Sequence, residues 1–314
     1  MYSIGVDIGG MSVKVGLVDE KGNILFKSVV KTASTPQQVI ENLIIQIEEL
    51  LKNANLSIDV IQGIGIGCPG AINGKTGIVD ILVNLNWINV PLVDLLKSKL
   101  NTTIRISNDA NVAVLAEALY GSAKDYNSAV MFTLGTGVGS GIVIDKKLYE
   151  GNCSKGAEIG HTTLVLGGKD CSCGRKGCVE QYVSATALIC QTKDAMMLDK
   201  SSNMWKYVDN EINNVDGKTA FECAKQGDKT ALKVVDAYVC YLAESMLNVF
   251  NTFRPEAFII GGGVSAQGDY LVNKVVEYCE KFDYGYKSAP KTKILIASLG
   301  NDAGIVGASA LVRD

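Results

Sequence analysis

Residues 2–19 read YSIGVDIGGMSVKVGLVD. Apolar residues dominate 2–7 and 12–18, with Ile8-Gly9-Gly10 between them, so the pattern predicts a strand, a tight turn and a second strand. Residues 24–31 extend this to a three-strand antiparallel meander. The theme returns at SAVMFTL (128–134), followed by GTGVGSG (135–141) and a strand beginning within 141–145. Two strand–glycine turn–strand units in one chain predict two related α/β halves. Outward from the first unit, Pro36 opens an amphipathic helix to about Lys52, with Val39, Leu43, Ile47, Leu50 and Leu51 on one face. A buried strand follows at 60–66, then a short helix from Pro91 to about Leu100 and a strand at 103–106. Asn108-Asp109 caps a helix to about Tyr120. The second half predicts helices near 180–197, 218–226 and 228–251, a strand at 257–260, a helix at 268–281, a strand at 293–297 and a last helix from Asn301 or Asp302. Alternation of strands and helices implies α/β sheets with ligands at the strand carboxyl ends. The hinge is expected near 110–120, with the last helix returning to the first half.

The chain has 314 residues, enough for two cores, with 47% hydrophobic and 20% charged residues. A net charge of −3 offers no electrostatic reason for nucleic acid or an anionic membrane as partner. No apolar run reaches the ~18 residues of a membrane span. The chain starts in a strand-like segment without a secretion signal, and its nine cysteines are an odd number. A reducing cytoplasm is the expected location, where clustered cysteines read as metal ligands.

Three glycine-rich turns stand at strand ends: Asp7-Ile8-Gly9-Gly10, Gly135-Thr136-Gly137 and Gly261-Gly262-Gly263. Each taken singly is explained as well by a need for positive φ. Together they point to nucleotide binding, since backbone without Cβ atoms lets N–H groups approach phosphate oxygens. Asp7 is a candidate to hold Mg2+ through water. Two other glycine motifs are decoys. Gly65-Ile66-Gly67-Cys68-Pro69-Gly70 matches GxGxxG but opens no helix, and Gly74-Lys75-Thr76 and Gly217-Lys218-Thr219 lack the earlier P-loop glycine. A nucleotide-binding α/β protein with a poised aspartate suggests phosphoryl transfer to a hydroxyl. Asp109 is the candidate base, with helix capping as its alternative role.

The sole histidine, His161, precedes Cys171-x-Cys173-x4-Cys178 by ten residues. One imidazole and three thiolates complete a tetrahedral zinc site with no open position, which argues against a zinc hydrolase. Glu158 and Glu180 flank the cluster, so a metal there would also gather two carboxylates.

These motifs resemble those of the ROK group (repressors, uncharacterised reading frames and sugar kinases), most closely its bacterial glucokinases. The resemblance rests on DIGGxxxK (7–14), GIGCPGAIN (65–73), NLNWINVPL (84–92), NDAN (108–111), GTGVGSG (135–141), GAEIGH (156–161), CSCGRKGCVE (171–180) and IIGGGVSAQG (259–268). It implies a two-domain actin-like ATPase fold (ribonuclease H-like) with an interdomain cleft. The expected domains are residues 1–115 plus about 300–314, and 116–299 carrying the zinc loop. The implied activity is ATP-dependent phosphorylation of a hexose 6-hydroxyl, most simply glucose, as a glycolytic glucokinase. N-acetylmannosamine, fructose and a glucoside are alternative substrates, and homodimers or homotetramers are expected.

Carried over by residue, the resemblance makes Asp109 the base and Asn108 its neighbouring sugar ligand. Glu158, His161 and Glu180 become hexose ligands, with Gly70 and Asn84 in segments lining the sugar cleft. Gly9, Gly10, Gly135, Thr136 and Gly137 are expected to cradle ATP phosphates, with Asp7, Ser12 and Lys14 in the same motif and Gly261, Gly262 and Gly263 by the adenosine. His161, Cys171, Cys173 and Cys178 become structural Zn2+ ligands. The family pattern DIGGT is broken by Met11. Either a phosphate-facing hydroxyl is missing there, or Met11 packs under the turn. A repressor of this group needs a helix-turn-helix domain ahead of the core, whereas a non-catalytic sugar sensor need not retain Asp109 or the phosphate turns.

Overall fold

The computed structural model describes residues 1–285 and 287–313. Its first elements are β1 (Tyr2–Ile8), β2 (Ser12–Asp19), β3 (Ile24–Lys31), α1 (Pro36–Asn53) and β4 (Ile61–Cys68). β5 (Ala71–Asn73), β6 (Ile78–Leu82), β7 (Trp87–Val90), α2 (Leu92–Lys97), β8 (Ile104–Asn108) and α3 (Asp109–Leu119) follow. Then come β9 (Ala129–Leu134), β10 (Val138–Ile144), β11 (Lys147–Tyr149), α4 (Glu180–Val183), α5 (Ala185–Leu198) and α6 (Asn203–Tyr207). The chain continues through α7 (Thr219–Lys225), α8 (Lys229–Phe253), β12 (Ala257–Gly261), α9 (Asp269–Phe282), β13 (Lys293–Ile296) and α10 (Ala303–Ala310). Two compact units result: 1–129 with 141–157 and the segment from Ser298 onward, and 130–140 with 158–297. Among the described residues no helix is long and apolar enough to cross a membrane.

The first unit is built on a sheet of order β3-β2-β1-β4-β8. β1 to β3 form the antiparallel meander, and β4 and β8 add in parallel. α1 starts where expected because the Thr35 side chain accepts the Gln38 N–H and Pro36 supplies a preset φ at the first turn. Its apolar stripe buries Leu43 and Ile47 completely, each stabilising by about 1.5–3 kcal/mol. α10 lies on β1 and β4 with backbone nearly touching backbone. A Cβ at Gly5 would stand 1.9 Å from the Ile305 carbonyl oxygen, and one at Gly65 1.7 Å from that of Ala308. Of the glycines that mimicked a dinucleotide fingerprint, Gly65 thus seats α10, while Gly67 clears Val112 of α3 and Gly70 the Ile81 carbonyl. Residues 71–90, for which the pattern predicts no element, form a small antiparallel sheet β5-β6-β7. Its strands are too short for the alternation to stand out: Val79, Leu82, Trp87 and Val90 are buried while Ile81 and Ile88 are exposed.

The second sheet has the order β11-β10-β9-β12-β13. Phe132 of β9 and Phe258 of β12 meet edge to face at 4.9 Å between ring centroids. α8 is capped by Asp228, whose carboxylate accepts from Thr230 N and Ala231 N, and it buries Tyr238, Leu242, Met246 and Phe250. Two expectations need correction. The helix near 180–197 is broken at Ser184, which is extended (φ −66°, ψ 160°) and caps α5 by accepting from Ala187 N. The strand after the second glycine turn begins at Val138 rather than 141, because Val138–Ser140 already pair within the sheet. The brief α6 and β11 carry too few residues for a periodic signal.

Candidate active site and metal centre

In the first unit the strand register places Asp7 directly opposite Lys14. Opposed residues in an antiparallel pair share a face, and Lys14 Nζ donates to Asp7 Oδ2 at 2.8 Å and to the Asn301 carbonyl at 3.4 Å. The turn between them is closed by Gly9 N–H donating to the Ser12 carbonyl at 2.9 Å. Thr32, which the sequence did not single out, braces it: its hydroxyl donates to the Gly9 carbonyl at 2.6 Å and its N–H to the Met11 carbonyl at 3.1 Å. Met11 does not pack under the turn; its side chain is 87% exposed. Gly10 lies beside the Asn84 side chain, which stands on the 3-10 turn joining β6 and β7.

Asp109 begins α3, and Asn108 caps it by accepting the Ala110 N–H at 2.8 Å. Asn108 Nδ2 also donates to the Gly70 carbonyl at 3.2 Å, joining two of the candidate sugar ligands. Asp109 is exposed by surface area, yet many protein atoms crowd around its carboxyl group. This desolvation raises its pKa, the Ala110 N–H opposes the rise, and the negative charge of Asp7 adds to it. Asn108 supplies the N-cap of α3, so Asp109 is not needed for that role.

In the second unit the turn after β9 and the turn after β12 come together. Gly262, at φ 78°, is seated so closely that a Cβ would lie 2.5 Å from the Leu134 carbonyl oxygen. By contrast, a Cβ at Gly135 or Gly263 would meet nothing within 4 Å, which leaves backbone open to a ligand. The Ala185 N–H donates to the Gly135 carbonyl at 2.8 Å and ties the start of α5 to the first turn.

Glu180 links this turn to the cysteine loop. Its Oε2 accepts the Val138 N–H at 3.0 Å, and its Oε1 lies 3.9 Å from Cys171 Sγ. A Cβ on Gly137 would stand 2.3 Å from the same carboxylate, so the glycine makes room for it. Sequence spacing gave no hint of this bond. The donor atoms of His161, Cys171, Cys173 and Cys178 all lie within 4.8 Å of one another. Cys171 Sγ to His161 Nδ1 is 3.7 Å and Cys173 Sγ to Cys178 Sγ is 3.6 Å. The edges of a tetrahedral zinc site with one nitrogen and three sulfurs are about 3.6 and 3.8 Å from the usual bond lengths. The donor set therefore fits that ion. The loop is braced around it: Arg175 donates to the His161 carbonyl at 3.2 Å and to Thr163 Oγ1 at 2.8 Å. The Ser140 hydroxyl accepts the Ile159 N–H at 2.9 Å and sets the turn carrying Glu158 and His161.

The family model described as ROK matches residues 3–314. The chain is 36% identical over 319 aligned residues to the glucokinase of Thermotoga maritima, covering 99% of this chain and 97% of that protein. It is 30% identical to the xylose repressor of Caldicellulosiruptor bescii over 98% of this chain and 77% of the repressor. The structure of a ROK family glucokinase from Streptomyces griseus in complex with glucose and AMPPNP is similar at a TM-score of 0.81 and 31% identity, over 100% of this chain and 99% of that one. The fold is accordingly the two-domain actin-like ATPase type. Motif spacing, glycine turns, metal-ready cysteine loop and full-length similarity agree, and the chain belongs to the ROK family.

Proposed function

We propose that this protein is an ATP-dependent hexose kinase that transfers the γ-phosphoryl group to the 6-hydroxyl of glucose. Asp109 carries the proposal: a carboxylate at a helix start, with a raised pKa and a neighbouring asparagine that relieves it of capping. Phosphoryl transfer needs chiefly positioning and charge stabilisation, with one group to take the alcohol proton. Asp109 takes that proton, and Asn108, Gly70 and Asn84 lie in the segments that hold the sugar. Glu158, His161 and Glu180 bind further hydroxyls. Nδ1 of His161 faces the sulfurs, which leaves Nε2 for a hydroxyl. Gly9, Gly10, Ser12, Gly135, Thr136 and Gly137 receive phosphates, and Gly261, Gly262 and Gly263 receive the adenosine.

Asp7 is the carboxylate suited to hold Mg2+ through water, where the ion would neutralise phosphate charge. His161, Cys171, Cys173 and Cys178 would hold Zn2+ as a structural ion that orients the sugar-binding carboxylates. A cytoplasmic homodimer or homotetramer serving glycolysis completes the proposal. The similarity to xylose repressors favours a second role, sugar sensing, for which turnover is dispensable. The test is ADP release from ATP with glucose, N-acetylmannosamine, fructose and a glucoside, followed by identification of the phosphorylated position. Glucose 6-phosphate as the preferred product supports the proposal. Sugar binding without turnover on any of the four assigns the protein to sensing instead.

A further inference from the structure

Glu117 lies on α3, eight residues after Asp109, in the otherwise apolar stretch AVLAEAL. Its side chain is fully buried, at 0% exposure. A buried carboxylate is tolerated only when its lone pairs are satisfied. Here Oε1 accepts from Ser298 N and Leu299 N, each at 2.7 Å. Oε2 accepts from Ser122 N at 2.8 Å and from the Ser298 hydroxyl at 3.0 Å. All four donors are neutral, and no step of the proposed chemistry uses this group.

Its partners locate what it does. Leu299 runs directly into the 3-10 turn Gly300–Asp302. In that turn the Asn301 carbonyl accepts from Lys14 Nζ, and Asp302 pairs with Lys27. One residue into α10, Gly304 packs against Asp7, where a Cβ would sit 2.7 Å from the carboxylate carbon. The segment that Glu117 clamps is therefore the one that presses on both Asp7 and Lys14. Gly121 leaves the space for the clamp, because a Cβ there would stand 2.1 Å from Glu117 Oε2.

We propose that Glu117 is a positioning residue for the nucleotide: by fixing residues 298–302 it sets the Asp7–Lys14 pair at the phosphate turn. This rests on the assignment of that turn to ATP phosphates, so the experiment tests the two separately. Glu117→Gln keeps the volume but offers one acceptor oxygen, and its NH2 group opposes two donors. Calorimetric affinity for AMPPNP and for glucose is measured on the full chain alongside Tm, for Glu117→Gln and for Lys14→Met. The expected result is an AMPPNP affinity weakened about 2- to 30-fold in both variants, the range for residues acting through a packed network, with glucose affinity unchanged. If glucose and AMPPNP affinities fall together with Tm in Glu117→Gln, the residue is only a fold staple and the inference is wrong. If Lys14→Met weakens AMPPNP and folded Glu117→Gln does not, the inference fails while the phosphate assignment stands. If neither variant changes AMPPNP binding, the phosphate assignment itself fails. Should Glu117→Gln not fold, Gly121→Ala displaces the carboxylate without deleting it and is held to the same outcomes.

Discussion

Replacing Asp109 by asparagine removes a charge and almost nothing else. The Asp109 carboxylate accepts the Ala110 N–H at 2.8 Å, a bond the amide oxygen retains. The cap of α3 belongs to Asn108 and is untouched. Folding should therefore survive, and its sign can be worked out. The Asp109 pKa is raised in the folded protein by desolvation and by Asp7. A raised carboxyl pKa means that ionisation is less favourable folded than unfolded. The resulting destabilisation is absent below the unfolded value and fully present above the folded one. At neutral pH asparagine removes it, so Tm should hold or rise. Turnover should fall by about 10²- to 10⁴-fold, the usual contribution of a general base, which is about 3–5 kcal/mol of barrier. The same shift places the acid limb of the wild-type kcat/KM profile, which reports groups of the free enzyme, above the ordinary aspartate value of about 3.9, with activity lost as pH falls through it. Coupled ADP release at saturating ATP and glucose reads kcat, and thermal unfolding of the same samples reads Tm. A folded variant retaining more than about a tenth of wild-type kcat would remove Asp109 from the role of base.

Three further outcomes follow from the site. Metal analysis of protein never exposed to chelator should find one zinc per chain, and Cys173→Ser should lose it together with sugar affinity, because the loop carries His161 and adjoins Glu180; zinc-free wild type would end the scaffold argument. Met11→Thr should raise kcat/KM for ATP without changing sugar affinity, since the exposed thioether offers phosphate almost nothing and a hydrogen bond to a charged group is worth about 1.5–3 kcal/mol; steady-state kinetics showing no gain would mean the hydroxyl is not what the turn lacks. Gly262→Ala forces a side chain into φ 78° against the Leu134 carbonyl, at a cost of about 1–3 kcal/mol; lower Tm and weaker ATP binding are expected, and unchanged AMPPNP affinity would separate this turn from the nucleotide.

What the sequence by itself determined was local. The apolar runs in 2–7 and 12–18 specified paired strands, the glycines between them specified the turn, and Asn108-Asp109 specified a capped helix. The spacing of Cys171, Cys173 and Cys178 brought three sulfurs into one loop, and the His161 ring stands with them. For the strands, the turn and the cap the chemistry lies within a few residues, where backbone geometry decides which groups meet; the metal set is legible from residue type and spacing.

Only the tertiary structure decided the rest. Whether Met11 packs or projects depends on what surrounds the turn, and there it is left 87% exposed. Glu180 could be assigned to sugar from its motif, but its bond to Val138 spans 42 residues. Glu117 reads as an isolated acid in an apolar helix until Ser298, 181 residues away, arrives to donate to it. Such contacts are set by how whole elements pack, and a polarity pattern permits many packings that differ in which distant donor meets which acceptor. Burial then makes the choice irreversible in energetic terms, because a carboxylate cut off from water must find partners wherever the fold has placed them.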